Sequence, residues 1–598
     1  MFGAGGGTSS YREIEETDVI LLWGSNARAA HPIFFHHLLK GVHNGARLYA
    51  IDPRRTESAQ WADRWLGLDV GSDIALAHTM AREIIHAGLA NRAFVESATS
   101  GFAEYAAHVE PFTLEEGERR TGVPAEVIRE TAHAYARADR AMICWTLGIT
   151  EHMHGVDNVL SLINLALLTG HVGRYGSGLN PLRGQNNVQG GGDMGAIPNK
   201  LPGFQDLERD AEARARFEEA WGVPIRPHYG WHLTQMFHGM ERGELRTLWV
   251  IGENPAQSEA DVGRTRQLLS ELDFLVVQDL FMTRTAELAD VVLPSAASWC
   301  ETEGTVTNSE RRVQRVRKAL DPPGEARDDG WIIGELARRL GFDWGTPSAE
   351  EVWDELRTLS PMHRGMRYDR LEALGGIQWP CPDEEHPGSP ILHERLWATP
   401  CEGPVAPFSP TPATGPFEAL DDEYPIRLTT GRRLESYNTG AQSNRYRSPL
   451  HKGELLDVSP EKQTIWEETD LKVLPSPVRH SLTVPQEKRN RLSRKPLPVA
   501  VTVTEGQEKG RLIVFGDADF AANMSMIREG DTFFNLISNS IDWLVERPTL
   551  GIRPRESGKY TLKREGAEGL NSSLFVSTLL MTVLLFSLGM GLWVVRRR

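Results

Sequence analysis

The sequence predicts an α/β protein in which two parallel-sheet units repeat one another, followed by a shorter β-rich segment, a small α/β piece and one C-terminal transmembrane helix. Three observations predict this. Short apolar runs alternate with stretches of helical spacing, the pattern of strand–helix–strand units. The same punctuation, an apolar run and then Gly-x-Asn, occurs twice. Residues 571–595 contain no charged side chain.

In the first unit, residues 18–24 (DVILLWG) are an apolar run closed by a turn. Residues 31–42 have helical spacing, residues 46–52 (ARLYAID) are a second run, and 73–87 read as a further helix. The pattern returns with strands at 245–252, 274–279 and 289–294 and a helix at 261–271. Gly24-Ser25-Asn26 matches Gly252-Glu253-Asn254, and the second strands end in Asp52 and in Gln278-Asp279. This is the pattern of a duplicated nucleotide-binding half. The two halves are expected within residues 1–382.

Residues 383–425 are rich in proline and small residues and read as a linker. A β-like segment opens at 426 and runs to 461. Residues 462–570 change character, with strands expected at 499–504 and 511–515 and a helix at 533–545. At ~1.5 Å per residue, residues 571–595 are long enough to cross a ~30 Å hydrocarbon core. Arg596, Arg597 and Arg598 follow directly. The N-terminus has no apolar signal region and reads as a loop entering a strand mid-domain, so the body is expected in the cytoplasm, anchored by its tail. The arginine triplet favours a cytoplasmic C-terminus, which pulls the other way.

The chain has 598 residues, 40% hydrophobic and 24% charged, an ordinary globular composition with room for several cores. A formal net charge of −16 argues against nucleic acid as a partner. The four cysteines, Cys144, Cys300, Cys381 and Cys401, form no CxxC pair. That excludes a disulfide framework, a structural zinc site and an iron–sulfur cluster held by this chain's own thiolates. His31, His36 and His37 do not share one helical face and no carboxylate joins them in sequence; they and His152 and His154 read as ordinary histidines, and no metal ligand is assigned.

Neither α/β unit contains GxGxxG. What remains is a strand end with Gly and Asn facing a helix N-terminus, whose free N–H groups suit phosphate. An acid ending the next strand can take a ribose or a base edge. The bland alternative is a tight turn with a capping Asn. The densest segment is NPLRGQNNVQGGGD, residues 180–193. Its amides, glycines and Arg183 can grip a large polar ligand, and Arg183 can hold a small carboxylate bidentately.

In order along the chain, GSNARAAHP, IDPRRTESAQWAD, GSDIALAH, PLRGQNNVQGGGDMGAIPN, VIGENPAQSEAD, VVQDLFMTRTAELADVVLP, EGTVTNSERRVQ and LTTGRRLESYNTG resemble the catalytic subunit of molybdenum- or tungsten-dependent formate dehydrogenases, in the molybdopterin oxidoreductase family. The resemblance runs to about residue 460. It implies a two-electron oxidation of formate to carbon dioxide at a metal held between two molybdopterin guanine dinucleotides. Gly24, Asn26, Asp52, Arg54, Gly71 and Asp73 would line one dinucleotide. Gly252, Asn254, Ser258, Gln278, Asp279 and Ser295 would line the other. Thr430, Gly431 and Arg432 would open the last cofactor-binding domain, cut short at 461. Arg183 would orient formate, and Gln185 would sit near the pterin. The family's N-terminal cluster domain and its metal-ligating cysteine or selenocysteine have no match here. An iron–sulfur cluster is therefore expected only from another chain, alongside electron-transfer subunits.

From about residue 462, RLIVFGDADFAANM, NLISNSIDWLVE and LGIRPRE resemble the C-terminal end of auxiliary proteins of gliding-motility-type ABC exporters. Two other readings follow: a non-catalytic membrane-tethered cofactor-binding protein, and an exporter auxiliary protein.

Overall fold

The structure is a computed structural model that describes residues 5–416 and 420 and two short strands, 500–503 and 512–515. The chain divides into two compact units, residues 1–454 and 455–598.

In the first unit, β1 (Val19–Trp23), β2 (Arg47–Ile51), β3 (Arg64–Leu66), β4 (Ala141–Trp145) and β5 (Gly178–Pro181) form one parallel sheet in the order β3-β2-β1-β4-β5. Every residue of β1 and β4 is buried. Helices cover both faces, which is why these strands read as unbroken apolar runs rather than alternating ones. Leu21, Trp23 and Tyr49 share a core with α3 (Asp73–His86), α4 (Ala125–Arg137) and α5 (Gly155–Thr169). On the other face Ile20, Leu22 and Leu48 pack with Phe34, Phe35 and Leu38 of α2 (Pro32–His43). The one-turn helix α1 (Ala27–Ala30) precedes α2.

The duplication appears as a second parallel sheet of β6 (Thr247–Ile251), β7 (Phe274–Asp279) and β8 (Val291–Pro294), in the order β8-β7-β6. Tyr49 lies opposite Arg64 and Val276 opposite Val291, so both outer pairings step across fifteen residues. Val250, Leu275 and Val277 pack with Leu268 and Leu269 of α8 (Val262–Ser270), which follows the one-turn helix α7 (Pro255–Ser258). The α6 helix (Val188–Asp193) belongs to the loop after β5. After β8 a hairpin intervenes, β9 (Gly304–Thr307) and β10 (Arg312–Val316), and then α9 (Asp329–Arg339).

Arg311, at φ 67° in that hairpin's turn, is fully buried. Its guanidinium donates to the carbonyls of Gly7 (2.6 Å), Ser389 (2.8 Å), Pro390 (2.8 Å) and Trp379. Burial pulls its pKa down to about 10, so it stays charged at neutral pH. A buried cation needs such partners. This one ties the N-terminal segment to the hairpin, and Thr8 N donates to Leu179 O of β5 at 2.9 Å.

The proline-rich stretch differs from the expected linker. Leu392, Leu396, Ala406 and Phe408 are buried, and Ala406–Pro407 pairs in parallel with Thr99–Ser100. Asn164 and Ser409 exchange two hydrogen bonds, at 2.8 and 3.0 Å. His78 Nε2 and His108 Nε2 each lie 2.8 Å from Thr411 O. Proline cannot donate to a ladder, but the apolar residues between the prolines find the first half's core, so residues up to about 411 form a strap over the body.

The strands expected at 499–504 and 511–515 are an antiparallel pair, Ala500–Val503 with Leu512–Phe515. Thr430, Gly431 and Arg432, the rest of 426–461, the helix expected at 533–545 and the span 571–595 lie outside the described residues. Among the described residues no helix is long and apolar enough to cross a membrane.

Candidate functional site

Both halves carry the same construction at the carboxyl ends of their first two strands, where ligands bind in open α/β sheets. Gly24 N donates to Ile51 O at 2.7 Å, and Gly252 N to Gln278 O at 2.9 Å. Both glycines have positive φ, 56° and 65°. Asn26 Oδ1 accepts from Ser58 Oγ at 2.9 Å and Ser58 N at 3.3 Å. Asn254 Oδ1 accepts from Thr285 Oγ1 at 2.9 Å and Thr285 N at 3.1 Å. The two hydroxyls then accept from Arg28 N and Ala256 N. Neither Asn side chain caps its helix. Each instead ties two crossing turns together, which leaves the strand-end backbone held rigid. Asp52 Oδ1 accepts from Arg54 N at 2.9 Å and Asp279 Oδ1 from Phe281 N at 3.1 Å; burial raises the pKa of both acids.

A second matched feature is a carboxylate at the first residue of the helix that follows each third strand. Asp73 opens α3 and accepts from Trp23 Nε1 at 2.8 Å. Asp329 opens α9 and accepts from Gln278 Nε2 at 2.6 Å. Burial pushes the Asp73 carboxyl up to about 6 and raises Asp329 as well. Gln278 is fully buried, and among the described residues its Oε1 has no hydrogen-bond partner. An orphaned buried amide oxygen costs free energy until a donor reaches it. Gln278 is among the residues that the sequence singles out and Asp329 is not, because the β9–β10 hairpin intervenes before it.

The halves differ in charge. Arg28, Arg54 and Arg55 surround the first construction, and among the described residues none of their guanidinium groups pairs with a carboxylate. Ala256, Phe281 and Met282 hold the corresponding positions of the second. Gly24 and Gly252 also differ in surroundings. A Cβ on Gly24 would lie 2.7 Å from Gly148 C, while one on Gly252 would meet nothing within 4 Å. Gly24 therefore serves backbone packing, and the space over Gly252 is open. Gly71 (φ 83°) lies against Pro416, Ser295 N donates to Asp279 O at 3.2 Å, and the exposed Ser258 hydroxyl donates to Glu259.

The amide-rich loop splits into two groups. Asn187 Oδ1 accepts from Thr307 N at 2.9 Å, fixing the loop to β9. Gln189 Nε2 donates to Asp193 Oδ1 at 2.7 Å and to Gly5 O at 2.9 Å, and Trp379 Nε1 donates to Asp193 Oδ2 at 2.7 Å. Asp193 is fully buried and its pKa is pushed up to about 6, chiefly by burial. These residues hold the loop rather than a ligand. Arg183 is braced by Ser309, whose Oγ accepts from Arg183 N and donates to Arg183 O. Its guanidinium donates to Gly5 O at 2.9 Å and Pro181 O at 3.4 Å. Those two contacts use two of the five guanidinium N–H groups. Burial lowers the Arg183 pKa from its usual value. Gln185 is half-buried and Asn186 is exposed. Asn186, Asn187, Thr305 and Val306 line a cleft of about 270 Å³.

His37 Nδ1 lies 2.6 Å from Glu15 Oε1, so a carboxylate distant in sequence does join one histidine of that cluster. His152 Nε2 lies 2.8 Å from Gly148 O. Among the described residues no group of three or more His, Cys, Asp or Glu is placed to hold a metal ion.

Residues 4–339 match the molybdopterin oxidoreductase family. The chain belongs to that family. It is 44% identical over 448 residues to F420-dependent formate dehydrogenase 2 subunit alpha of Methanococcus maripaludis, covering 74% of this chain and 65% of that one. It is 42% identical to F420-dependent formate dehydrogenase subunit alpha of Methanocaldococcus jannaschii, over 74% of this chain and 65% of the relative. It is 41% identical to formate dehydrogenase H of Escherichia coli, over 73% and 61%. The chain thus spans somewhat less than two thirds of the length of the curated relatives it matches. Membership of the family implies a molybdopterin cofactor with molybdenum or tungsten. The described residues fit such a group: among them Gln278 Oε1 is buried without a partner, nothing lies over Gly252, and the guanidinium groups of Arg28, Arg54 and Arg55 pair with no carboxylate.

Proposed function

We propose that this chain is the cofactor-binding body of a formate dehydrogenase, holding two molybdopterin guanine dinucleotides, one per half. The observation that carries this reading is the duplication of a whole construction: Asn26, Ser58 and Asp73 in one half, Asn254, Thr285 and Asp329 in the other. One chain that builds the same nucleotide cradle twice suits a ligand with two nucleotides. Arg28 and Arg54 would neutralise pyrophosphate on the first half. Asp73, and Asp329 with Gln278, would take base edges: a carboxylate accepts from ring N–H and amino groups, and Gln278 Oε1 accepts from a further donor.

The bound metal cofactor supplies an acceptor for two electrons. The chain's own task is to present formate. Arg183 is fixed at its backbone by Ser309 and at its guanidinium by Gly5 O and Pro181 O, so its remaining N–H groups point without rotameric search. Its positive charge, weakly screened in a half-buried setting, selects a small anion. Partner electron-transfer subunits would take up the electrons and would also bring any iron–sulfur cluster.

For the second unit, the reading remains that residues 571–595 cross a membrane and residues 462–570 derive from an exporter-auxiliary kind of segment, with the body in the cytoplasm. The uncharged 25-residue run and its arginine flank support the span. Carbonate-resistant membrane association should disappear when the chain is cut after Leu570.

The functional reading is tested by extracting purified protein and measuring oxidised pterin by fluorescence. Pterin should accompany protein from a host that makes the cofactor, and protein that is folded yet free of it contradicts the reading.

A further inference from the structure

Among the described residues the Arg183 guanidinium is held by two carbonyls, Pro181 O and Gly5 O, and by no carboxylate. Gly5 O is shared. Gln189 Nε2 donates to it at 2.9 Å and to Asp193 Oδ1 at 2.7 Å, so both hydrogens of that amide are used. The Asp193 carboxylate thus stands one amide and one carbonyl away from the guanidinium. Asp193 is 0% and Gln189 2% exposed, so little water screens one charge from the other. Among the described residues only neutral donors reach Asp193: Gln189 Nε2, Trp379 Nε1 at 2.7 Å and the Thr307 hydroxyl. Two cations face it, Arg183 and, in the β9–β10 turn, Arg311. Arg311 is itself held by four carbonyls and faces Glu13 and Glu310. Glu13, raised by burial to about 7, accepts from Ser10 N and Gly176 N. The Tyr11 phenol, which faces Arg183, is pushed by burial up to about 12 and stays neutral.

We propose that Asp193 is a positioning residue that acts through Gln189 and Gly5 O as the proton-linked counter-ion of Arg183, so that formate binds at Arg183 together with a proton at Asp193. The inference rests on the formate reading of Arg183. An empty Arg183 presents its full charge to Asp193 and favours the ionised carboxylate. A small anion on the guanidinium cancels that charge, and a buried carboxylate that loses its opposing cation takes up a proton. The coupling is reciprocal: a neutral Asp193 strengthens anion binding at Arg183, and an ionised one weakens it. Burial, opposed by Gln189, Trp379 and Arg183, places the carboxyl of the empty site at about 6. Affinity for formate is therefore highest below pH 6. It falls as pH rises above 6, until Asp193 is ionised in the occupied site as well.

The test uses the full chain carrying oxidised pterin cofactor, with nitrate as the probe: a small planar monoanion that does not titrate and brings no reducing electrons. Calorimetric titration in two buffers of different ionisation enthalpy counts the protons taken up on binding. Uptake should be near zero at pH 5 and about half a proton or more near pH 7, and the Kd for nitrate should rise about five-fold or more from pH 6 to pH 8. Asp193→Asn is neutral at every pH. It should bind nitrate at pH 8 as tightly as the native chain does at pH 6, without proton uptake at pH 7. Its fold has a way to adapt, since Gln189 Oε1, which among the described residues has no partner, can turn to accept from the new amide. Trp379→Phe removes one donor to the carboxylate and should move the uptake to higher pH. Nitrate binding that is independent of pH, uptake that persists in Asp193→Asn, or an uptake profile unmoved by Trp379→Phe overturns the linkage. Nitrate binding that survives Arg183→Gln, or no binding at all, overturns the formate reading of Arg183 along with it.

Discussion

Asp73 and Asp329 occupy the same place in the two halves of this chain. Each opens the helix after the third strand, and each carboxylate is held by a side-chain N–H from the strand ends, Trp23 Nε1 at 2.8 Å and Gln278 Nε2 at 2.6 Å. The donors differ, indole against amide, and the acid is kept. What the halves share is therefore a carboxylate acceptor at the start of that helix, buried at Asp73 and half-buried at Asp329.

That acid has a cost visible in pH. Burial holds the Asp73 carboxyl up to about 6, above its ordinary 3.8, so the folded state keeps a proton that the unfolded chain releases. Its contribution to stability is fully present below about pH 4 and is lost as pH rises through 6. Asp73→Asn keeps an oxygen for Trp23 and removes the charge. Urea unfolding should show the variant more stable at pH 8 by about 1–3 kcal/mol, with a flatter profile between pH 4 and 6. Nucleotide binding to that half should weaken at the same time. An unaltered profile would contradict the burial argument.

The two strand-end glycines should respond differently to one methyl group. Gly24→Ala meets Gly148 backbone at 2.7 Å as well as the left-handed φ, whereas Gly252→Ala meets only the φ. Gly252→Ala is expected to destabilise by about 1–2 kcal/mol and Gly24→Ala by clearly more. Thermal unfolding of the two variants side by side would settle the order. Gly252→Ala should also impair dinucleotide binding beyond its effect on stability.

Asn254→Ala removes the acceptor for both Thr285 N and Thr285 Oγ1 in a site that is 5% exposed. The loss is expected at about 1–3 kcal/mol. Asn254→Asp retains the oxygen and should recover part of it. Equal losses in the two variants would mean that the acceptor is not what matters.

Arg183→Lys keeps a charge but replaces a planar fork with a single ammonium. In the assembled, cofactor-loaded enzyme, formate-dependent dye reduction should fall by about 100-fold or more in kcat/KM. Pterin content should stay unchanged, because in the proposed function Arg183 would brace substrate rather than cofactor. Unchanged kcat/KM would remove Arg183 from the proposed role.

Much of the first unit was legible because its strands are buried on both faces, and residues such as Val19–Trp23 then form continuous apolar runs. The duplication was legible through Gly-x-Asn and through the acids that end the second strands. Asp329 was not, and the reason is an insertion. Only six residues lie between Leu66 and Asp73, while the β9–β10 hairpin lies between Pro294 and Asp329 and hides the equivalence. The loop at 180–193 stands out in the sequence by its density of amides and glycines, but composition cannot say which amides face inward. Asn187 and Gln189 turn out to hold Thr307, Asp193 and Gly5, and the Arg183 guanidinium donates to Gly5 O and Pro181 O. The proline-rich strap misread as a linker shows the same limit, since Phe408 and Leu396 find a core far away in sequence.

Two cradles, one for each of two guanine dinucleotides, are tested most directly by guanine nucleotide content. Acid hydrolysis of protein from a cofactor-making host should release two guanylates per chain. Asp73→Asn or Asp329→Asn should lower that number, each acting on its own half. A folded chain that releases none, or whose content is unmoved by either substitution, would contradict the account.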